Sequence, residues 1–376
     1  MMKYVIGSIF FIVFIGVSSF KETHITINTE DSLRLIYSQN PANWPKPNVD
    51  KSVVWKELGP LIVSPNMQKR EALKPVIELG KLLFFDPRLS VSNQIACASC
   101  HIPDLNWADG RGQAVGHDRT LNRRNTPSIE NTWFFDKLFW DGRANSLEDQ
   151  VNGPIGGHTE MNQDLSKLPS KIAAVEGYKP FFIAAFGDAQ VNNERIFHSI
   201  AEFERTISSQ RSRFDFFLTS NKNALNDQEI RGLHLFRTKA NCMNCHHGAL
   251  LTDGSFHNIG LSLMGRPFED LGRYNITHSV KDLGKFKTPS LRNVMRTRPW
   301  MHHGFFDDME GLIAFYNNGN PQGIRKDSIK NKLPVPELDP LLHKLSLTKE
   351  EIRDIVAFLN SITSAPLIVR EPQLPK

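Results

Sequence analysis

The chain has 376 residues, with 45 Lys and Arg against 40 Asp and Glu and a formal net charge of +5. That length suits two or three ordinary domains, each burying its own core, and so small a surplus of charge gives no ground for a nucleic-acid partner. Hydrophobic residues at 40% and charged residues at 23% are the proportions of an ordinary soluble protein. Taken in order, Lys3 precedes the apolar run Tyr4 to Val17, and the small residues Ser18 and Ser19 follow. This is the layout of a secretory signal peptide over residues 1–20. No strong Ala-x-Ala cleavage site is present, so an uncleaved anchor is the alternative, and in either case the rest is exported. No second run of about 18 apolar residues occurs, so nothing further spans a membrane.

Residues 21–66 are polar, and Pro41, Pro45, Pro47, Pro60 and Pro65 break any long helix. They are predicted to form an extension wrapping on the first domain. From Glu71 the residues Leu73, Val76, Ile77, Leu83 and Phe84 recur at helical spacing with Gly80 on the same stripe, until Asp86-Pro87 stops the element. Pro75 fits that helix only in its first turn. Ten residues after Pro87 comes Cys97-Ala98-Ser99-Cys100-His101, echoed by Cys242-Met243-Asn244-Cys245-His246, which together use all four cysteines. Two cysteines two residues apart with a histidine directly after them form the attachment pattern of a c-type haem. The thiols add to the vinyl groups, and His101 and His246 reach the irons from the proximal side. A four-cysteine zinc site gives no reason for a histidine after both pairs, and a thioredoxin-like pair calls for a βαβ pattern that is not present.

Asn106 to Asn131 shows little periodicity and much Gly, Asp, Asn and Arg, the mark of long loops over a haem edge. Helical patterning returns at Ile196, Ile200 and Phe203 in a segment ending near Ser212, and the polar stretch Thr219 to Asn226 is the predicted domain boundary. The plan then repeats. Asn226 with Glu229 and Thr348 with Glu351 are capping boxes, followed by the apolar stripes Ile230, Leu233, Phe236 and Ile352, Ile355, Val356, Leu359. Strand signals are scarce. The predicted fold is therefore mainly α: two cytochrome c-like domains over 67–218 and 219–366, each with one covalent haem, and a tail over 367–376.

Several motifs carry a family likeness. These are Leu79-Gly80-Lys81-Leu82-Leu83-Phe84-Phe85-Asp86-Pro87-Arg88-Leu89-Ser90, Arg124-Asn125-Thr126-Pro127-Ser128, Phe139-Trp140-Asp141-Gly142-Arg143, Gly153-Pro154, Glu160-Met161-Asn162 and Thr288-Pro289-Ser290-Leu291-Arg292-Asn293-Val294. With both haem motifs in the same order, the chain resembles the bacterial di-haem cytochrome c peroxidases, which include the methylamine-utilisation type di-haem oxidases. The resemblance implies an enzyme of the periplasm reducing hydrogen peroxide to water with electrons from a small cytochrome c or a cupredoxin. A homodimer is left open.

Carried over residue by residue, the resemblance makes the Cys97 haem peroxidatic, with His117 as its distal ligand in the oxidised resting form. It makes Glu160 the distal acid and base, Gln150 the amide that orients peroxide, and Trp140 the tryptophan between the haems. Peroxide must lose one proton to bind and gain one to leave as water, which is the work of such a carboxylate. Asn125, Thr297 and Pro299 match oxygen ligands of a calcium ion at the domain interface. The chain departs from the better-known peroxidases at Tyr316, where they place a methionine on the second iron. Tyrosine marks the oxidases that act through high-valent haem, which is the alternative function; Met309, Met301, Met264 or His302 are alternative ligands. A non-enzymatic electron carrier is the third reading, and Glu160 with Gln150 argues against it, since a carrier moves no proton.

Overall fold

Each half of the molecule is built on a pair of helices that cross at a glycine. The computed structural model describes residues 29–329 and 333–376, so the predicted signal segment lies outside it. Among the described residues no helix is long and apolar enough to cross a membrane. In the first half, helix Arg70–Phe84 buries Val76, Leu79, Leu82 and Leu83 against helix Asn193–Glu204. A Cβ on Gly80 would lie 1.8 Å from the Ser199 carbonyl oxygen, so only glycine permits this approach. In the second half, helix Asp227–Arg237 crosses helix Lys349–Ser361, and a Cβ on Gly232 would lie 1.9 Å from the Asp354 carbonyl oxygen. Both predicted capping boxes form: the Glu229 amide donates to Asn226 Oδ1 at 2.9 Å and the Glu351 amide to Thr348 Oγ1 at 3.2 Å.

Pro75 lies in the interior of its helix rather than in the first turn, because the helix begins at Arg70. Its ring removes the bond to the Glu71 carbonyl, in a turn where Glu71 is exposed. The fold is mainly helical, as predicted. The one ladder among the described residues pairs Phe256–His257 (β1) antiparallel with Phe286–Lys287 (β2).

Two main apolar cores result. One runs from Leu79 to Ile207 and has Cys97 packed against it; the other runs from Phe214 to Ile362 with Cys242 against it. Helix Arg213–Thr219 gives Phe214, Phe217 and Leu218 to the second core, so the change-over falls before this helix and not after it.

The N-terminal extension wraps on the second half, not on the first as the sequence suggested. Tyr37, Trp44 and Leu58 are buried in the second core. The physical reason is Arg237, fully buried and in need of partners. It pairs with Glu57, donates to the Pro45 carbonyl at 2.9 Å and lies over the rings of Tyr37 and Trp44. The segment 367–376 crosses the other way. Val369 and Leu374 pack on the first core, while Arg88 donates to the Pro375 carbonyl and the Gly177 amide to the Lys376 carbonyl, each at 2.9 Å.

Between the halves, Glu130 Oε2 accepts from Asn106 Nδ2 and from Asn293 Nδ2, both at 2.7 Å. Arg124 adds a second tie, donating to Asp141 of its own half and Asp270 of the other at 2.6 Å each.

Candidate active site

The two Cys-x-x-Cys-His segments fold alike. Each opens on a single 3-10 turn, Cys97–Ser99 and Cys242–Asn244. The His101 amide donates to the Cys97 carbonyl at 2.9 Å and the His246 amide to the Cys242 carbonyl at 2.8 Å. His101 Nδ1 lies 2.9 Å from the Trp107 carbonyl, and His246 Nδ1 lies 2.9 Å from the Leu251 carbonyl. A carbonyl only accepts, so Nδ1 carries the proton and Nε2 keeps its lone pair for a metal. Burial pushes both imidazoles down, towards the neutral form that ligates. The four thiols are unpaired, and burial pushes Cys100 up to about 11 and Cys242 up to about 12.

Both motifs open into one continuous cavity of about 700 Å³ whose wall includes all four cysteines and both histidines. Free thiols in pairs, each with a histidine whose Nε2 is available, around one roomy cavity, fit two covalently attached haems.

Other predicted residues meet on the same wall. Glu160, Gln150 and Trp140 all line it. Glu160 Oε1 accepts from Asn122 Nδ2 at 2.7 Å, which orients the carboxyl. Gln150 lies on helix Leu147–Gly156, started by Ser146 as its cap, and its Oε1 is buried without a hydrogen-bond partner among the described residues. Trp140 donates its indole N–H to the Asn125 carbonyl at 3.0 Å, and its ring stands edge-on to His302 at 6.4 Å. His302 in turn stacks on Phe286 at 3.5 Å.

His117 is the exception, being absent from the cavity wall. Its amide donates to the Glu160 carbonyl at 2.7 Å, so its main chain is tied to the predicted acid. Its ring turns to Asp118, with Nε2 3.3 Å from Oδ2, leaving Nδ1 buried and without a partner among the described residues. Gly116 makes the approach: a Cβ there would lie 1.9 Å from the Thr159 carbonyl oxygen.

Comparison with known proteins agrees with this geometry. Residues 74–223 match the family described as di-haem cytochrome c peroxidase. Methylamine utilization protein MauG of Methylophilus methylotrophus is 37% identical over 302 residues, 79% of this chain and 85% of the relative. Cytochrome-c peroxidase IdrP1 of Pseudomonas sp. (strain SCT) is 33% identical over 329 residues, 80% of this chain and 84% of the relative. The chain belongs to the di-haem cytochrome c peroxidase family. Among solved structures, a MauG-like protein associated with microbial copper homeostasis superposes with a TM-score of 0.68 at 29% identity, covering 85% of this chain and 93% of that one. The diheme peroxidase BthA of Burkholderia thailandensis gives 0.66 at 25% identity, covering 85% and 95%.

Membership of this family of oxidoreductases implies two c-type haems, which the two motifs would hold. Tyr316 lines the cavity beside Cys242 and Cys245. Burial pushes its phenol up, and among the described residues its hydroxyl makes no hydrogen bond. Of the alternative ligands, Met301, Met309 and His302 share the wall and Met264 does not. Asn125, Thr297 and Pro299 also lie on this wall. The Asn125 carbonyl and Nδ2 are engaged by Trp140 and by the Arg111 carbonyl, which leaves Asn125 Oδ1 and the carbonyls of Thr297 and Pro299 as oxygen donors.

Among the residues of this wall that escaped the sequence reading, four are ionisable and set deep in the fold: Glu130, Glu204, His257 and Lys287. Glu204 is 3% exposed, has Oε2 without a partner among the described residues, and is pushed up to about 8 by burial. Burial alone would push His257 down, but Asp253 at 2.8 Å and Asp339 at 2.6 Å outweigh it and raise it to about 12. None of the four stands in a motif; each is defined by what folds around it.

Proposed function

We propose that the chain is a periplasmic peroxidase that reduces hydrogen peroxide to water, drawing electrons from a small cytochrome c or cupredoxin. The observation that carries the reading is that the Glu160 carboxyl and the Gln150 amide share the cavity wall that also bears His101. When bound, the two haems would supply irons that store and pass single electrons, and the one at Cys97 would offer a coordination position to peroxide. Glu160, held by Asn122, takes a proton from one peroxide oxygen and returns it to the other. Gln150, its amide oxygen without a partner among the described residues, would accept from a peroxide hydroxyl and fix the direction of the substrate. Trp140, bridged through His302 and Phe286, carries the electron across the seam. Two electrons and two protons thereby convert one peroxide to two waters. Asn125 Oδ1 with the carbonyls of Thr297 and Pro299 would hold a calcium ion that stiffens this seam.

The test is oxidation of a reduced small cytochrome by peroxide. Glu160→Gln is expected to lower kcat by about 100-fold or more, with haem content unchanged. A variant that keeps its kcat would refute the assignment.

A second reading is favoured by two placements. Tyr316 stands beside the second motif, and the His117 ring faces Asp118 rather than the cavity. Both suit a di-haem oxidase of the methylamine-utilisation type, acting on a protein or small molecule at its surface. In that case peroxide changes the spectra of both haems while the reduced cytochrome stays unoxidised.

A further inference from the structure

Cations withdrawn from water need an anion, and among the described residues each arginine of the cavity wall has one except the exposed Arg123. Arg124 is met by Asp270 and Asp141, Arg143 by Asp141, and Arg292 by Asp215 at 2.6 Å. Arg123 donates to the Glu269 carbonyl near the surface. Lys287 has no carboxylate within ion-pair distance among the described residues, although it lines the same cavity. Lys287 as a whole is half-buried, but its ammonium lies over the Phe135 ring, 3.6 Å from the centroid, and desolvation there lowers it to about 8.

The position is fixed from the backbone. Lys287 ends β2, and its amide donates to the Trp140 carbonyl at 2.8 Å, so the side chain springs from the seam between the halves. An aromatic face offsets only part of the cost of burying an ammonium. The polypeptide therefore presents a fixed cation to a cavity shaped for something else. The groups that fit this cavity each carry two carboxylates, the haem propionates.

We propose that Lys287 receives a propionate carboxylate of a haem seated in this cavity, beside Trp140. The assignment rests on the reading that the cavity holds two covalent haems. It gives Lys287 a second consequence: a cation paired there favours the reduced iron, because reduction removes one positive charge from the haem.

The experiment is a spectroscopic potentiometric titration of the holoprotein and of Lys287→Met and Lys287→Arg, with haem content measured by mass. Lys287→Met is expected to lower the midpoint potential of one haem and to shift its propionate bands in the resonance Raman spectrum, while Lys287→Arg keeps both close to the parent. If the methionine variant does not accumulate, Lys287→Gln carries the same comparison. Unchanged potentials and propionate bands would overturn the assignment. So would a chloride titration that moves the potentials of the parent protein but not of the variant, since the cation would then serve a diffusible anion. A mass showing fewer than two haems in the parent protein would instead refute the cavity reading, and the assignment with it.

Discussion

Glu204 shows how much a single side chain can contribute from the floor of a cavity. Its carboxyl is buried next to Cys97, and its pKa is raised from 4.5 to about 8. For an acid raised on folding, ionisation favours the unfolded chain. Below about 4.5 both states are protonated and nothing is lost; between 4.5 and about 8 the unfolded state loses its proton first, and stability falls as pH rises. Glu204→Gln should therefore raise the melting temperature at pH 8 and leave it nearly unchanged at pH 4, with a gain of up to a few kcal/mol. Equal melting shifts at both pH values would refute this. At Tyr316 the expected result is spectroscopic: Tyr316→Phe changes the spectrum of the second haem and not the first, and identical spectra would remove the phenol from the iron. The four cysteines with His101 and His246 could be read from the sequence because their motif is local, whereas Glu160 and Gln150 entered only through the family resemblance. Glu204, Lys287 and His257 could not. The partner of His257, Asp339, is 82 positions away, and no spacing rule joins them.

At the scale of elements, the helix pairs were legible and their glycines only half so. Gly80 was placed on the apolar stripe of its helix, but the reason for it is a backbone carbonyl on the crossing helix. Alanine in a helix interior is ordinarily better than glycine by ~1 kcal/mol. Here the added methyl would meet the Ser199 or Asp354 carbonyl at 1.8 or 1.9 Å, so the sign reverses. Gly80→Ala and Gly232→Ala should each destabilise by roughly 1–3 kcal/mol, the usual cost of overpacking, as read by chemical denaturation. Gain of stability in either would contradict the crossing. Gly116 acts on the site instead. Asp118 and Arg119 both have positive φ, 52° and 57°, and left-handed geometry costs ~1 kcal/mol or more at each such residue. That loop is held against Glu160 at a cost, and Gly116→Ala is expected to loosen it and lower turnover in the proposed peroxide assay without changing haem content.

Across the whole molecule, the sequence revealed two haem motifs in two repeated plans but not how the chain closes them. The extension 21–66 is polar and proline-rich, and nothing in its composition says which core it covers. The decision is made by Arg237, about 180 to 200 positions away from Glu57 and Tyr37, whose charge the second core could not otherwise bury. Removing residues 367–376 should lower the thermal stability of the first half and leave the Cys242 haem spectrum unaltered. A truncated chain that melts like the parent would show that these contacts contribute nothing.

These crossed straps also set an order in time. The second core takes its cover from the N-terminal extension, whereas the first core waits for Val369, Leu374 and Pro375, and the Arg88 contact spans 287 positions. Long-range closure of this kind is slow. The half that bears Cys97 is therefore expected to close last, when Val369, Leu374 and Pro375 dock on it.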